Sequence, residues 1–247
     1  MSDAGAKIAI VGALDRELHP LVKAWPRTVV EHEGRSFTFY QGKYAVVVCG
    51  GIGAEAARRA AEAAIVRYSP GTVISAGIAG ALVPDLPVGE TIFPTLVIDA
   101  QDGSRHETAI KIAPLAKTPL GRTILVSSAQ IASIADKQRL AKSYGAQAVD
   151  MEAAAVARAA MTHQLPFVAV KSISDEYDFE LPAMSQFVRD GQFQQHRFAL
   201  HIAVRPWMWL RTLRLARNTQ TASENLCAWL RESVLTNTIV LGFTSKL

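Results

Sequence analysis

The chain has 247 residues, 49% hydrophobic, 19% charged and 7% aromatic, a balance that excludes a disordered or collagen-like polypeptide and provides for one buried core. Its two cysteines, Cys49 and Cys227, are too few for a disulfide scaffold or a cysteine-rich zinc module and point to a reducing, cytoplasmic compartment. The net charge of +4 is uneven: residues 1–180 carry 18 Lys and Arg against 19 Asp and Glu, and the remainder carries 8 against 3, so the body lacks the basic face that nucleic acid requires.

Residues 7–14, KIAIVGAL, read as a strand buried on both faces that ends in Gly-Ala. Asp3 and Lys7 precede it without a signal-peptide core, and no run approaches the roughly 18 apolar residues of a membrane-spanning helix. After a charged, irregular stretch, residues 36–40 and 44–49 flank the Gln41-Gly42-Lys43 turn as a hairpin that feeds Gly50, Gly51 and Gly53. Residues 54–68 are strong helix formers stopped by Ser69-Pro70-Gly71. Strands are expected at 72–76, 91–98, 123–127 and 167–173, and helices at 131–144 and 151–163. Strands and helices interleave, so the sequence predicts a single α/β domain with a central mixed sheet flanked by helices, its ligands bound where loops leave the strand ends. Residues 1–180 form the expected core, and 181–247 a C-terminal extension packed on it. Within the extension Arg211, Arg214 and Arg217 lie near one another on a helical wheel, opposite Met208, Trp209, Leu213 and Ala216. This basic amphipathic helix either packs on the domain with a solvated arginine face or makes a peripheral membrane contact.

Four segments carry chemistry-bearing residues. Gly12 to Glu17 place a glycine and the charged residues Asp15, Arg16 and Glu17 at the end of the first strand, where they serve a ligand or simply start a helix. The small residues Ser75-Ala76-Gly77-Ile78-Ala79-Gly80 form a loop that permits close backbone approach to a ligand or tight packing. That loop matches neither a phosphate loop nor a dinucleotide fingerprint. Asp150, Met151 and Glu152 set two carboxylates among apolar residues at a helix start; Asp150 is either an N-cap or a functional acid. Finally, Ser174 and Asp175 end a buried strand, a place where burial suits an acid catalyst and where Asp175 could equally cap a turn. The six histidines lack the spacing of metal motifs, so no metal is expected; His106 is the one placed near the pocket mouth.

In this order and at these intervals, G-A-x-x-x-E, A-G-x-A-G, V-x-M-E-A and S-x-S-D resemble the nucleoside phosphorylase and 5'-methylthioadenosine/S-adenosylhomocysteine nucleosidase superfamily over roughly residues 7–180. The branch most similar is the hopanoid-associated phosphorylase, which acts on an adenosine carrying a hopane at its 5' end. That likeness rests on the loop 75–80 with Ile78 inside it, on Ile134 to Lys137 leading to Glu152, and on Arg205-Pro206 followed by residues 213–219. The resemblance implies that Asp175 is the general acid toward purine N7, that Glu152 and Met151 contact the ribose, and that Glu17 is the general base for water. Gly12, Gly77, Ile78, Ser174, Arg16 and Ile131 complete the implied substrate site, with Ile131 where nucleosidases stack an aromatic residue on the base. Lys171 stands where nucleosidases have Arg. Phosphorolysis would require inorganic phosphate as co-substrate, and only half of a phosphate site is implied: Arg16 is present, but Ser75 replaces a second Arg. No cofactor is implied. The expectation is cleavage of the N-glycosidic bond of a 5'-substituted adenosine, by water or phosphate, in a homo-oligomer. The alternatives are a non-catalytic nucleoside-binding protein of the same fold and a basic-tail adaptor at a membrane.

Overall fold

The computed structural model describes residues 7–109, 123–181, 185–189, 192–203 and 205–235, and the expected features that fall on 236–247 lie outside the described residues. The first strand, β1 (Ile8–Gly12), is followed by α1 (Asp15–Val22), then by three strands β2 (Arg27–His32), β3 (Arg35–Gln41) and β4 (Ala45–Cys49), and by α2 (Ala54–Tyr68). The central strand β5 (Thr72–Ala81) leads to β6 (Thr91–Ile92), β7 (Leu96–Asp99), β8 (Arg105–Glu107) and β9 (Ile124–Ser127). The chain continues with α3 (Ile134–Tyr144), β10 (Ala148–Asp150), α4 (Ala153–Thr162), β11 (Phe167–Asp175), a short β-hairpin of β12 (Val188–Arg189) and β13 (Gln192–Phe193), α5 (Gln195–Ala203) and α6 (Trp209–Leu235).

Among the described residues the sheet is mixed and has 11 strands. Strand β5 is its hub: its first half lies parallel to β1, its far end meets β10 antiparallel, and β11 runs parallel along Val73 to Gly80. Apolar, β-branched residues fill β1, β4, β5 and β11, as strands covered on both faces require. Alanine-rich α2 and α4 cover one face; apart from the exposed Ala54, their alanines are 0–8% exposed, most of them packed among Val46, Val73 and Ala169. On the other face Leu18, Leu21 and Val22 of α1 join Leu226, Cys227 and Leu230 of α6. The C-terminal helix therefore closes the core of a single domain. Its N-terminal half and the turn before it are different, with Trp207 of that turn and Trp209, Leu210 and Leu213 of the helix all exposed.

Four details depart from the sequence reading. The expected loop 75–80 is the continuation of β5, because Lys171 to Asp175 pair with it as a ladder. The expected strand 91–98 is split around Pro94, whose missing N–H interrupts a ladder, and its halves pair with different strands, β11 and β9. The charged stretch near residue 30 is β2, an exposed edge strand whose Arg27 and Glu31 suit an edge. Helix α3 begins at Ile134, after a capping box between Ser133 and Asp136. No helix among the described residues is long and apolar enough to cross a membrane.

Candidate active site

A cavity of about 950 Å³ opens at the C-terminal ends of β1, β5 and β11, the end of an open α/β sheet where ligands bind. Gly12, Arg16, Glu17, Gly77, Ile78, Ile131, Met151, Glu152, Ser174 and Asp175 all line it. His106 does not: it is buried beside Ser104 and Met161 on β8, and His19 is the histidine along the cavity wall.

Glu17 enters through the first turn of α1. Pro20 inside this helix removes the N–H that would bond Arg16 O, and Ser223 Oγ of α6 lies 3.4 Å from that oxygen and 2.6 Å from Glu17 O. The tie fixes the turn that carries Glu17. Its carboxylate, 3% exposed, sits over Gly77: a Cβ there would fall 3.1 Å from Glu17 Oε2 and 3.6 Å from Lys171 Nζ. Burial, reinforced by the charge of Glu152, pushes the Glu17 carboxyl up to about 7, against the pull of Lys171, Arg16 and the Ile78 N–H. Gly12 serves packing as well as access, since a Cβ on it would meet Leu18 Cδ1 at 2.6 Å.

Asp150, the residue with two readings, is a structural acid. Its Oδ2 accepts the Ala153 N–H of α4 at 2.9 Å and the Lys171 ammonium at 2.8 Å, while Ser127 Oγ donates to its Oδ1 at 2.6 Å. Lys171 is thereby committed to a buried pair. Burial opposes its charge, yet Asp150, Glu152 and Glu17 raise its pKa above the ordinary ammonium value. Glu152 accepts the Gly53 N–H at 2.9 Å and the Met151 N–H at 3.2 Å, which aims it from the α4 start toward the cavity. Desolvation and the neighbouring Asp150 raise its pKa, and Lys171 and the two N–H donors oppose them. The Gly53 contact explains the glycines after β4: Gly53 has φ +95°, a conformation that favours glycine.

Asp175, also in the cavity lining, accepts from Ser174 Oγ at 2.6 Å on Oδ1 and is ion-paired through Oδ2 with Lys137 of α3. Gly80 makes the room, since a Cβ there would lie 2.8 Å from Asp175 Oδ2. Sequence reasoning gave Lys137 no role of its own. The signal was present: Lys137 occupies the same helical stripe as Ile134, Leu140, Ala141 and Tyr144, and a lysine on an apolar stripe requires a buried partner. Ser75 also lines the cavity, its buried hydroxyl without a hydrogen-bond partner among the described residues.

The arrangement brings the neighbouring carboxylates Glu17 and Glu152 and the Asp175–Lys137 ion pair to the lining of one cavity. Such a set of acids can protonate a leaving group and activate a nucleophile. His32, Glu33 and Glu62 also lie close together, but at the outer surface, where Arg58 bridges both glutamates.

The phosphorylase superfamily model matches residues 7–122 and 114–200. A 5'-methylthioadenosine/S-adenosylhomocysteine nucleosidase from Bacillus licheniformis is 29% identical over 198 residues, spanning 68% of this chain and 85% of that protein. One from Shewanella pealeana is 25% identical over 204 residues, 71% of this chain and 89% of its own length. Among solved structures, a mutant Helicobacter pylori nucleosidase with 5'-methylthioadenosine in its active site superposes with a TM-score of 0.71 at 20% identity, covering 94% of this chain and 99% of that one. The futalosine hydrolase of Helicobacter pylori superposes with a TM-score of 0.67 at 20% identity, covering 96% and 100%. The order of the four motifs, the mixed sheet they stand on and the extent of the family match lead to one assignment: the chain belongs to the phosphorylase superfamily.

Proposed function

We propose that the protein is an enzyme that cleaves the N-glycosidic bond of a 5'-substituted adenosine, releasing adenine with water as the nucleophile. The observation that carries this reading is Glu17: a buried carboxylate over Gly77, poised near pH 7, next to Glu152 and in the same cavity lining as Asp175. In the reaction the purine leaves with the C1'–N9 electron pair on N9 and a proton arrives on N7 at Asp175. The ribose approaches an oxocarbenium ion stabilised by Glu152, with Met151 beneath it, and Glu17 takes a proton from the attacking water. Water is favoured over phosphate because the two buried lysines of the wall, Lys137 and Lys171, are each paired with a carboxylate, and a phosphate dianion would meet Glu17 and Glu152.

The apolar part of the cavity lining supports a finer reading of the substrate class. There Leu181, Phe198, Leu215 and Ala216 extend the lining toward α6, which suits a long apolar 5' group of the hopanoid kind over a short thioether alone. The exposed Trp207, Trp209, Leu210 and Leu213 lie on that same helix end, within residues 191–223, which hold five arginines and no acid. Peripheral contact with an anionic membrane through this end belongs to the same reading. The free thiols of Cys49 and Cys227 fit a cytoplasmic enzyme, and a homo-oligomer is part of the same proposal. No cofactor enters the scheme.

The test is an adenine-release assay with 5'-methylthioadenosine, S-adenosylhomocysteine and 5'-alkylthioadenosines of increasing chain length, with and without phosphate. Phosphate-independent release of adenine and the corresponding 5-substituted ribose, with kcat/KM rising with chain length, is expected. Phosphate-dependent formation of a ribose 1-phosphate would reverse the choice of nucleophile. Binding by calorimetry without adenine release would identify a nucleoside-binding protein instead.

A further inference from the structure

Lys137 is the most deeply buried charged group on the cavity wall, 1% exposed, and the scheme above gives it no task. Withdrawing an ammonium from water costs several kcal/mol, and the surrounding stripe of α3 would accept a leucine or methionine. The position is nevertheless built with care. The capping box of Ser133 and Asp136 fixes the start of α3 at Ile134, three residues ahead of it, and its Nζ donates to Glu176 O at 2.6 Å as well as pairing with Asp175. Gly80 leaves the space, since a Cβ there would approach Asp175 Oδ2 at 2.8 Å and Lys137 Cε at 3.4 Å.

Both oxygens of Asp175 are thus occupied by donors, Ser174 Oγ on one and Lys137 on the other. An ion-paired carboxylate that accepts on both oxygens has no proton of its own to give, and a departing purine requires one on N7. We infer that Lys137 is a positioning residue that acts through Asp175: it fixes the carboxylate at the cavity wall and is the source of the proton that Asp175 delivers. The inference rests on the glycosidic reading above. As the C1'–N9 bond breaks with its electron pair moving to N9, Lys137 Nζ gives a proton to Asp175 and Asp175 hands that proton to N7. Water adds to C1' and loses a proton to Glu17. Adenine leaves neutral, Lys137 is left as the amine and Glu17 as the acid, and solvent returns the proton from one to the other before the next turnover.

The experiment is a double-mutant cycle on the full chain, with Lys137→Met, Asp175→Asn and the pair, plus Lys137→Arg, read by adenine release from 5'-methylthioadenosine and by calorimetric binding of the same nucleoside. Lys137→Met is expected to lower kcat by about 10²- to 10³-fold with KM changed less than about threefold. The double variant, which leaves no unpaired buried charge, is expected to be no slower than Asp175→Asn alone. Lys137→Arg keeps the charge but holds its proton too tightly to supply it, so it is expected to restore folding and binding while kcat stays low. Multiplicative losses in the double variant, full kcat in Lys137→Arg, or turnover by Lys137→Met within threefold of the parent would each overturn the inference. If the unsubstituted protein releases no adenine from any of the nucleosides above, the failure lies in the proposed function itself.

Discussion

Replacing Glu17 with glutamine separates what the carboxylate does for catalysis from what it does to stability, and the two effects have opposite signs. The folded protein holds the Glu17 proton to about pH 7, whereas the unfolded chain releases it near the ordinary value of 4.5. Because the folded-state pKa is the higher, the contribution of this group to stability is complete below about pH 4.5 and is lost as pH rises through 7. That shift corresponds to a loss on the order of 3 kcal/mol across the window. Burial sets the upward shift, with help from the charge of Glu152, and Lys171, Arg16 and the Ile78 N–H around the same carboxylate oppose it. The amide of Glu17→Gln has no proton to lose, so urea unfolding should find the variant equal to the parent near pH 4.5 and more stable by about 3 kcal/mol at pH 8. Over the same range kcat/KM of the parent should climb through an apparent pKa near 7, and the variant should lose that limb together with about 10²- to 10⁴-fold in rate. A stability difference that stays flat with pH, or a variant that retains the limb, would refute the assignment of Glu17 as the buried base.

Three further outcomes follow from the same geometry. Lys171→Met leaves Asp150 as an unpaired buried charge beneath α4 and should destabilise the protein by about 3–5 kcal/mol in urea titration, with part of the loss recovered on adding Asp150→Asn. Gly80→Ala drives a methyl to 2.8 Å from Asp175 Oδ2, so it should reduce kcat at least tenfold and cost about 1–3 kcal/mol of stability, measured by initial rates and thermal unfolding. Deleting residues from 209 onward removes Leu226, Cys227 and Leu230 from the core, and circular dichroism should find no cooperative unfolding transition in the truncated chain.

The alternation of strand and helix was legible because the central strands and the alanine-rich helices carry their periodicity undiluted. What the sequence obscured has physical causes. Residues 77–80 resemble a ligand loop because Gly77 and Gly80 lack side chains, yet those same absences let β5 continue beneath Glu17 and Asp175. The edge strand β2 hides because an edge is charged, and Pro94 breaks an apolar run that otherwise reads as one strand. In the site, Glu17, Glu152 and Asp175 could be found as acids next to glycines and strand ends. The partners of Asp150 and Asp175 could not, since Lys171 and Lys137 come from elements 21 and 38 residues away and only the folded sheet brings them in. Asp150 shows the consequence: an acid that sequence alone leaves divided between cap and catalyst proves to cap α4 and hold Lys171.

The central claim is that acid chemistry at Asp175 releases the purine, and single-turnover adenine release by Asp175→Asn tests it most directly. The account predicts a rate lower by about 10²- to 10⁴-fold with nucleoside affinity retained. Release at the parental rate from every accepted nucleoside would contradict it.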